Sequence, residues 1–595
     1  MAEQIISPGV FSNENDKSLY TQGPVVVGAA LVGPTVMGTP MVPTVVTSYS
    51  DYLAKFGDIF KPTGSSLYQE YFTSLTAKEY FNGGGQAMLV TRIISGSGFD
   101  VFATASVNTS GSANGLSTPT AFTLETLTWG DIMNNQSPII AGSTGSISSG
   151  SVSNVRWEIS AVNTGSGTFT LLIRRGDDNT NQKNVLETWS NLSLDPQQPN
   201  YIARVIGDTK ITYNSTQGIL QYQGNYTNNS QYVRIKPNSV NNIVDSIDNT
   251  GAFKAIYTGS LPCAGVGYAG SGSNQGAFYG GLPATSKSGS FFENVNSTAT
   301  DCQGYTATDY ANAFTMLANK DEFDFNLLLV PGTTLGTGPL SSISDDTIAL
   351  CENRTDSMAI VDATACSAAS GSTVQTVTMA TAAAASSTSN YAATYYPWVQ
   401  VYSSNLGKAV WVPPSVVMAG VYAFNDQVAA EWFAPAGLNR GGIGSVIRAE
   451  RKLSQSDRDT LYASNVNPLA TFPGNGVVAF GQKTLQKRPT SLDRVNVRRL
   501  LITLKRFLGG VGRQLIFEQN TATTRNRFLS VAEPYMESIV QRQGLYSYKI
   551  VMDETNNTSD VIDRNQLVGQ IYVQPTKTAE FIILNFTVTP TGATF

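Results

Sequence analysis

Three short, unbroken apolar runs constrain this chain more than any other feature. They are "VVVGAALVG" directly after Pro24, "AMLVTRII" ending at Ile94, and "FNLLLVPG" ending at Gly332. Such runs are too short to span a bilayer and lack the two-residue alternation of half-exposed strands. They read as strands buried on both faces. Segments with helical spacing lie near them. "SYSDYLAKFGDIF" predicts a short helix closed by Gly57. Ser66, with Gln69 three residues on, forms a capping-box pattern ahead of Leu67, Tyr68, Tyr71, Phe72 and Leu75. Tyr310, Phe314 and Leu317 share the face of another helix. The pattern is a mixed α/β one. At 595 residues the chain exceeds the about 250–300 that one core reaches, so it is multidomain.

"EYFNGGGQAMLVTRI" places Gly83 to Gly85 between a helix and a strand. Phosphate loops run in the order strand, glycines, helix, so that free helix N–H groups face the anion. Here the order is reversed, and the glycines face the negative end of the helix dipole. Gly83 is expected to close the helix in the left-handed conformation.

Past Ile94 the character changes. Between Ser97 and Thr170 there are five charged residues amid abundant Ser, Thr, Gly and Asn. "NVRWEISAVNTGSGTFTLLIRRGDD" alternates polar and apolar about a Gly-Ser turn, a hairpin pattern. This β-rich style reaches to about residue 300 and reads as an insertion. The alanine-rich stretch "ATACSAASGSTVQTVTMATAAAASSTSNYAATYY" suits either a closely packed helix or a linker. From Phe472 the α/β pattern returns. Val497, Leu500, Leu501, Leu504 and Leu508 make an apolar helical stripe, and Pro534 predicts a kinked or split second helix. In the tail "EFIILNFTVTPTGATF", Ile582, Leu584, Phe586 and Val588 fall on one strand face, as in an arm meant for another sheet. Residues 1–20, polar and turned at Pro8-Gly9, read as a second free arm.

Chemistry is sparse. No histidine is present, which excludes a His triad and a His-ligated metal. Cys263, Cys302, Cys351 and Cys366 are widely spaced and read as buried thiols rather than a zinc site. Carboxylate pairs such as Asp177-Asp178 and Asp553-Glu554 sit in turn-like sequence and read as solvated turns. Nothing assembles a nucleophile, a base and an oxyanion site, and no enzyme or cofactor is expected. The start, "MAEQIISPGVFSNENDKS", has no signal-peptide pattern, so a soluble protein made in the cytoplasm is expected. Charged residues are only 14% of the chain, against about 25% in ordinary globular proteins, which points to a surface largely met by other protein. Net charge is −5, yet Lys483 to Arg513 holds nine Lys or Arg against Asp493 alone. That cluster could meet nucleic acid, grip an acidic protein surface, or merely be a solvated helix face. The lack of aromatic platforms apart from Phe507 weighs against nucleic acid.

Taken together, these residues resemble the sheath proteins of contractile phage tails and related injection machines. The likeness is carried by "ISPGVFSNENDKS", "EYFNGGGQAMLVTRI", "YYPWVQV", "VPPSVVMAGVYAFND", "EWFAPAG", "VNPLATFPGNGVVAFGQKTL" and "VNVRRLLITLKRFL". It covers residues 1–95 and about 300–595. Gly437 stands where the family usually shows Asn. The resemblance implies an N-terminal arm (1–20), a sheath core in two segments (21–96 and 304–470) and an outward β-rich insertion (97–303). It implies further a C-terminal α/β module facing a tail tube (471–579) and a strand arm (580–595). Ser7, Pro8, Gly9, Val10 and Phe11, with Ile582, Leu584, Phe586 and Val588, would link neighbouring subunits by strand addition. Arg494, Arg498, Arg499, Lys505 and Arg506 would touch the tube. The implied protein assembles in the host cytoplasm as a helical homo-oligomer of stacked hexameric rings in the virion. Its implied partners are the tail tube, baseplate and tail terminator, without direct nucleic-acid contact or membrane insertion. It would contract from a metastable state to drive the tube through the host envelope. A receptor-binding or decoration protein, suggested by the insertion, is the alternative.

Overall fold

The structure, a computed structural model, describes residues 28–60, 68–94, 102–111, 120–129, 145–147, 150–263, 274–279, 306–336, 341–364 and 376–583. The three apolar runs meet in one eight-stranded sheet. From edge to edge it runs Thr44–Val46, Met88–Arg92, Ala29–Gly33, Leu327–Thr334, Met358–Asp362, Ala392–Tyr396, Asn467–Phe472 and Gly476–Ala479. The inner strands are parallel to one another, and each edge strand is antiparallel to its neighbour. Alternation within each run sorts side chains to two cores. Ala29, Leu31, Leu327 and Leu329 enter one, and Ala30, Val32, Leu328 and Val330 enter the other. Helices Tyr49–Phe56, Phe72–Asn82 and Pro414–Val428 cover the first face. Helices Ala307–Leu317, Ser341–Arg354 and Val377–Ser386 cover the second. Cover on both faces is why these strands carry no polar alternation. The alanine-rich stretch is therefore helical over Val377–Ser386, where Ala380, Ala383 and Ala384 are buried.

Two local expectations are corrected. The second helix starts at Phe72, not at Ser66, which lies outside the described residues. Gln69–Glu70 instead pairs with Ile59–Phe60, and the buried Glu70 carboxylate accepts from Ser74 and Ser403 hydroxyls. Gly83 is right-handed at φ −72°, and Gly84 takes the positive φ of 92°. Gly83 serves close approach instead. A Cβ there would lie 2.3 Å from the Gly420 carbonyl oxygen, and one on Gly420 2.7 Å from that of Glu79. The Phe72–Asn82 and Pro414–Val428 helices thus cross backbone against backbone.

The predicted hairpin is present as Val155–Asn163 against Thr168–Arg175, in a sheet with Val185–Ser193 and Gln275–Ala277. With the strands Phe102–Asn108, Thr120–Trp129 and Val233–Ile235 it encloses a separate core around Phe122, Trp157, Phe169 and Ile202. Asp177 faces outward on Arg175, but Asp178 is not solvated. It is buried between Arg156 (3.1 Å) and Arg174 (2.8 Å), which neutralise it. Several hydrogen bonds fasten this unit to the α/β sheet, among them Thr39 Oγ1 donating to the Leu127 carbonyl (2.9 Å) and Trp129 N–H to that of Gly38 (3.3 Å). Buried Arg92 donates to the Gly38 and Trp129 carbonyls (2.5 and 2.7 Å), and Tyr213 Oη donates to that of Asn312 (3.2 Å).

A further core belongs to the C-terminal region. Helix Val495–Arg513 contributes Leu500, Leu504 and Leu508, and helix Ala522–Gln541 contributes Phe528, Met536 and Ile539. The second of these runs unbroken through Pro534. The antiparallel hairpin Leu545–Val551 and Gln570–Pro575 completes it. Cys263 and Cys351 are buried free thiols. Among the described residues no helix is long and apolar enough to cross a membrane.

Candidate functional site

The basic cluster and the tail meet at one seam. The helix Val495–Arg513 forms because its apolar positions recur every three or four residues, and Val495, Val497, Leu500, Leu504 and Leu508 are buried. The same spacing turns some of its cations inward. Arg498 and Arg499 are each 3% exposed. Arg499 donates to both Asp426 carboxylate oxygens (2.7 and 2.5 Å) and lies 5.0 Å from the Tyr422 ring centre. Burial opposes its charge, but Asp426 and Glu431 override that and hold the guanidinium above its ordinary pKa. Arg498 stacks over Tyr391 at 4.1 Å, and Lys505 reaches the hydroxyl of the same tyrosine at 3.3 Å.

The remaining cations find acids far away in sequence. Arg506 pairs with Asp324 at 2.6 Å and Arg513 with Asp321 at 3.1 Å, both acids on the turn after helix Ala307–Leu317. Thr503 donates to Glu431, which also accepts from Asn326 at 2.9 Å. Arg494, at the helix start, donates to both oxygens of Glu580 at 2.7 and 3.0 Å. Glu580 further accepts from Tyr462 Oη (2.7 Å) and Gln482 Nε2 (3.1 Å). Burial would raise the Glu580 pKa, but these donors together hold it below the usual carboxylate range.

Within the chain, the five residues expected at a tube do not share one exposed face. Arg498 and Arg499 are committed to Tyr391 and Asp426 inside the chain, because the apolar stripe they flank is itself buried. Of the five residues expected at a tube, Lys505 is exposed and Arg506 and Arg494 are half-buried. Sequence reasoning missed Asp426, Glu431 and Glu580. Their only signal was an excess of cations with no local counter-charge.

Just past Glu580 the chain turns apolar and outward, with Phe581, Ile582 and Ile583 exposed at 79, 77 and 83%. Leu584, Phe586 and Val588 lie outside the described residues, as do Ser7, Pro8, Gly9, Val10 and Phe11. A cleft of about 960 Å³ separates the Thr576–Phe581 stretch from Trp432, Phe433, Phe480 and Tyr546.

Comparison with known proteins places this seam at a domain junction. Residues 303–485 match the family described as phage tail sheath protein central domain, and residues 487–589 match the phage tail sheath C-terminal domain. The chain is 43% identical over 185 residues to the tail sheath protein of Vibrio phage KVP40, covering 31% of this chain and 28% of that one. The tail sheath protein of Enterobacteria phage T4 is 42% identical over 185 residues, with the same 31% and 28% coverage. These matches span under a third of either relative's length. The crystal structure of a sheath tail protein from Listeria innocua aligns with 92% of this chain and 95% of its own at 9% identity, with a TM-score of 0.49. Residues 303–589 thus carry, in succession, the central and the C-terminal domain of phage tail sheath proteins.

Proposed function

We propose that this chain is a contractile sheath subunit that polymerises helically, in stacked hexameric rings, around an inner tail tube. The rings stay extended until triggered, then contract and drive the tube through the host envelope. The baseplate and tail terminator cap the two ends. Residues 1–20 and 580–595 act as arms that add strands to a neighbour's C-terminal module. The observation that carries this reading is a pinned residue, Glu580, followed directly by an uncovered apolar stretch. Glu580 is held by three side chains, and the next three residues are apolar and uncovered. An exposed apolar stretch that takes extended form can add as a strand to a sheet on another copy. Head-to-tail addition of that kind closes into a ring where its rotation allows and otherwise extends as a helical filament, so it can supply both the rings and their stacking.

For the tube, the exposed Lys505, with the half-buried Arg506 beside it, is a cation of this helix that can meet an acidic surface. Exposed pairs of this sort are worth about 0–1 kcal/mol each, which suits a grip that must let go. The residue 97–303 unit, with its own core, is proposed to lie on the outside of the tube.

Electron microscopy of the purified full chain tests the assembly. Tubes for the intact protein, lost on deleting residues 582–595 from a chain that still folds, are expected. Unchanged tubes from the truncated chain would remove the arm reading.

A further inference from the structure

We infer that Glu580, Arg494, Arg499, Asp426, Ser415 and Asp362 form one load path, carrying tension on the C-terminal arm into the middle of the central sheet. This rests on the proposed reading that the arm joins a neighbouring subunit. Pull on that arm must be borne somewhere, and the first holdfast inward from the free end is Glu580, bonded twice to Arg494. Arg494 caps the N-terminus of helix Val495–Arg513, and five residues on, Arg499 holds Asp426 by two bonds. Asp426 sits in the last turn of helix Pro414–Val428. At the other end of that helix, the Ser415 N–H and hydroxyl both donate to Asp362, at 2.9 and 2.7 Å. Asp362 ends strand Met358–Asp362, which lies between Leu327–Thr334 and Ala392–Tyr396 in the sheet.

Helix Pro414–Val428 is thus a strut of 15 residues, about 22 Å long, tied at one end by the buried Asp362 and at the other by the half-buried Asp426. The Asp362 tie also satisfies a free N–H of the helix's first turn, where an acid is favoured, but the Asp426 tie is not explained by helix stability. An acid in the last turn faces the negative end of the dipole and is unfavourable there, so Asp426 makes sense through Arg499. Asp362 is 1% exposed and is met by Ser415 and the Gly332 amide rather than by a cation. The strut is braced sideways as well. Tyr422 shares a hydrogen bond of 2.9 Å with Tyr395 of the sheet, and Gly420 abuts the Phe72–Asn82 helix. Paired contacts in series, each between rigid elements, transmit displacement; a lone surface pair such as Lys55–Asp51 does not.

The test uses sheaths assembled from full-length chains and driven to contract by mild denaturant, with the fraction of assembled tubes that fracture counted by electron microscopy. Glu580→Gln and Arg499→Met are each expected to raise that fraction at least threefold over wild type. Lys55→Met, off the path, should leave it unchanged. Hydrogen exchange across the central sheet checks that each subunit is folded. If Arg499→Met fails that check, Glu580→Gln with Tyr462→Phe decides, since both act at the arm base. Tubes of folded variants that contract as intact as wild type would overturn the load path while leaving the arm reading standing. If a chain ending at residue 581 assembles and contracts normally, the arm reading itself fails.

Discussion

Asp426→Asn isolates the buried tie between the two matched domains. Arg499 is 3% exposed, and its charge is met by both oxygens of Asp426 at 2.7 and 2.5 Å. Removing one partner of a buried pair leaves an uncompensated charge, which costs about 3–5 kcal/mol. The Asp426 side chain is 24% exposed, so solvent reaches one side of the pair and the lower end of that range applies, about 3 kcal/mol. Arg499→Met leaves the carboxylate, which can take up a proton or water, and should cost less, about 2 kcal/mol. The double variant Asp426→Asn with Arg499→Met removes both charges and leaves no buried ion unpaired. It should fall within about 2 kcal/mol of wild type, giving a coupling of roughly 3 kcal/mol between the sites. Urea unfolding of the unassembled full chain, followed by hydrogen exchange of the Val495–Arg513 segment, reads this energy locally and avoids treating several domains as one transition. If each single variant costs under about 1 kcal/mol, or if the double equals the sum of the singles, the pair does not join the domains and the reasoning fails.

Three further outcomes follow from other regions of the fold. Gly83→Ala should destabilise the first core by about 1–3 kcal/mol, since its Cβ would meet the Gly420 carbonyl at 2.3 Å and push the crossing helices apart; thermal unfolding with no loss would contradict that crossing. Burial raises the Asp362 carboxyl from 3.8 to about 7 in the fold, so the folded chain binds its proton more tightly than the unfolded one. Its contribution to stability is therefore full below about pH 4 and declines toward pH 7, at up to roughly 1.4 kcal/mol per pH unit. Asp362→Asn should remove that slope from melting curves taken between pH 4 and 7, and an unchanged slope would refute it. Arg92→Met should loosen the residue 97–303 unit, with proteolysis near Trp129 rising several-fold while the sheet stays folded, because its guanidinium holds the Gly38 and Trp129 carbonyls. Equal proteolysis of both chains would count against that fastening.

The elements legible in the sequence were those fixed by local pattern. Ala29–Gly33 and Leu327–Thr334 announced themselves as doubly buried strands, because a strand covered on both faces must be apolar throughout. The stripe through Leu500, Leu504 and Leu508 likewise required a helix. What stayed hidden were pairings over long separations. Nothing near Arg499 in the sequence indicates Asp426, and nothing near Arg494 indicates Glu580, so four of the nine cations of the cluster are balanced by acids from elsewhere in the chain. The Ser66–Gln69 pattern was misleading for a related reason. Pairing of Gln69–Glu70 with Ile59–Phe60, and burial of Glu70 against Ser403, outweigh a local cap. Gly437 shows the opposite case. Its φ of 86° lies in the left-handed region, which glycine adopts without steric cost, so a glycine there follows from backbone geometry.

The central claim is that copies of this chain are linked by strand addition in a contractile tube. A helical reconstruction of the assembled protein tests it most directly. The account predicts a strand from one copy, continuing from Ile583, lying against the hairpin Leu545–Val551 and Gln570–Pro575 of the next. A tube in which that hairpin's edges are bare and each tail folds back on its own subunit would contradict it.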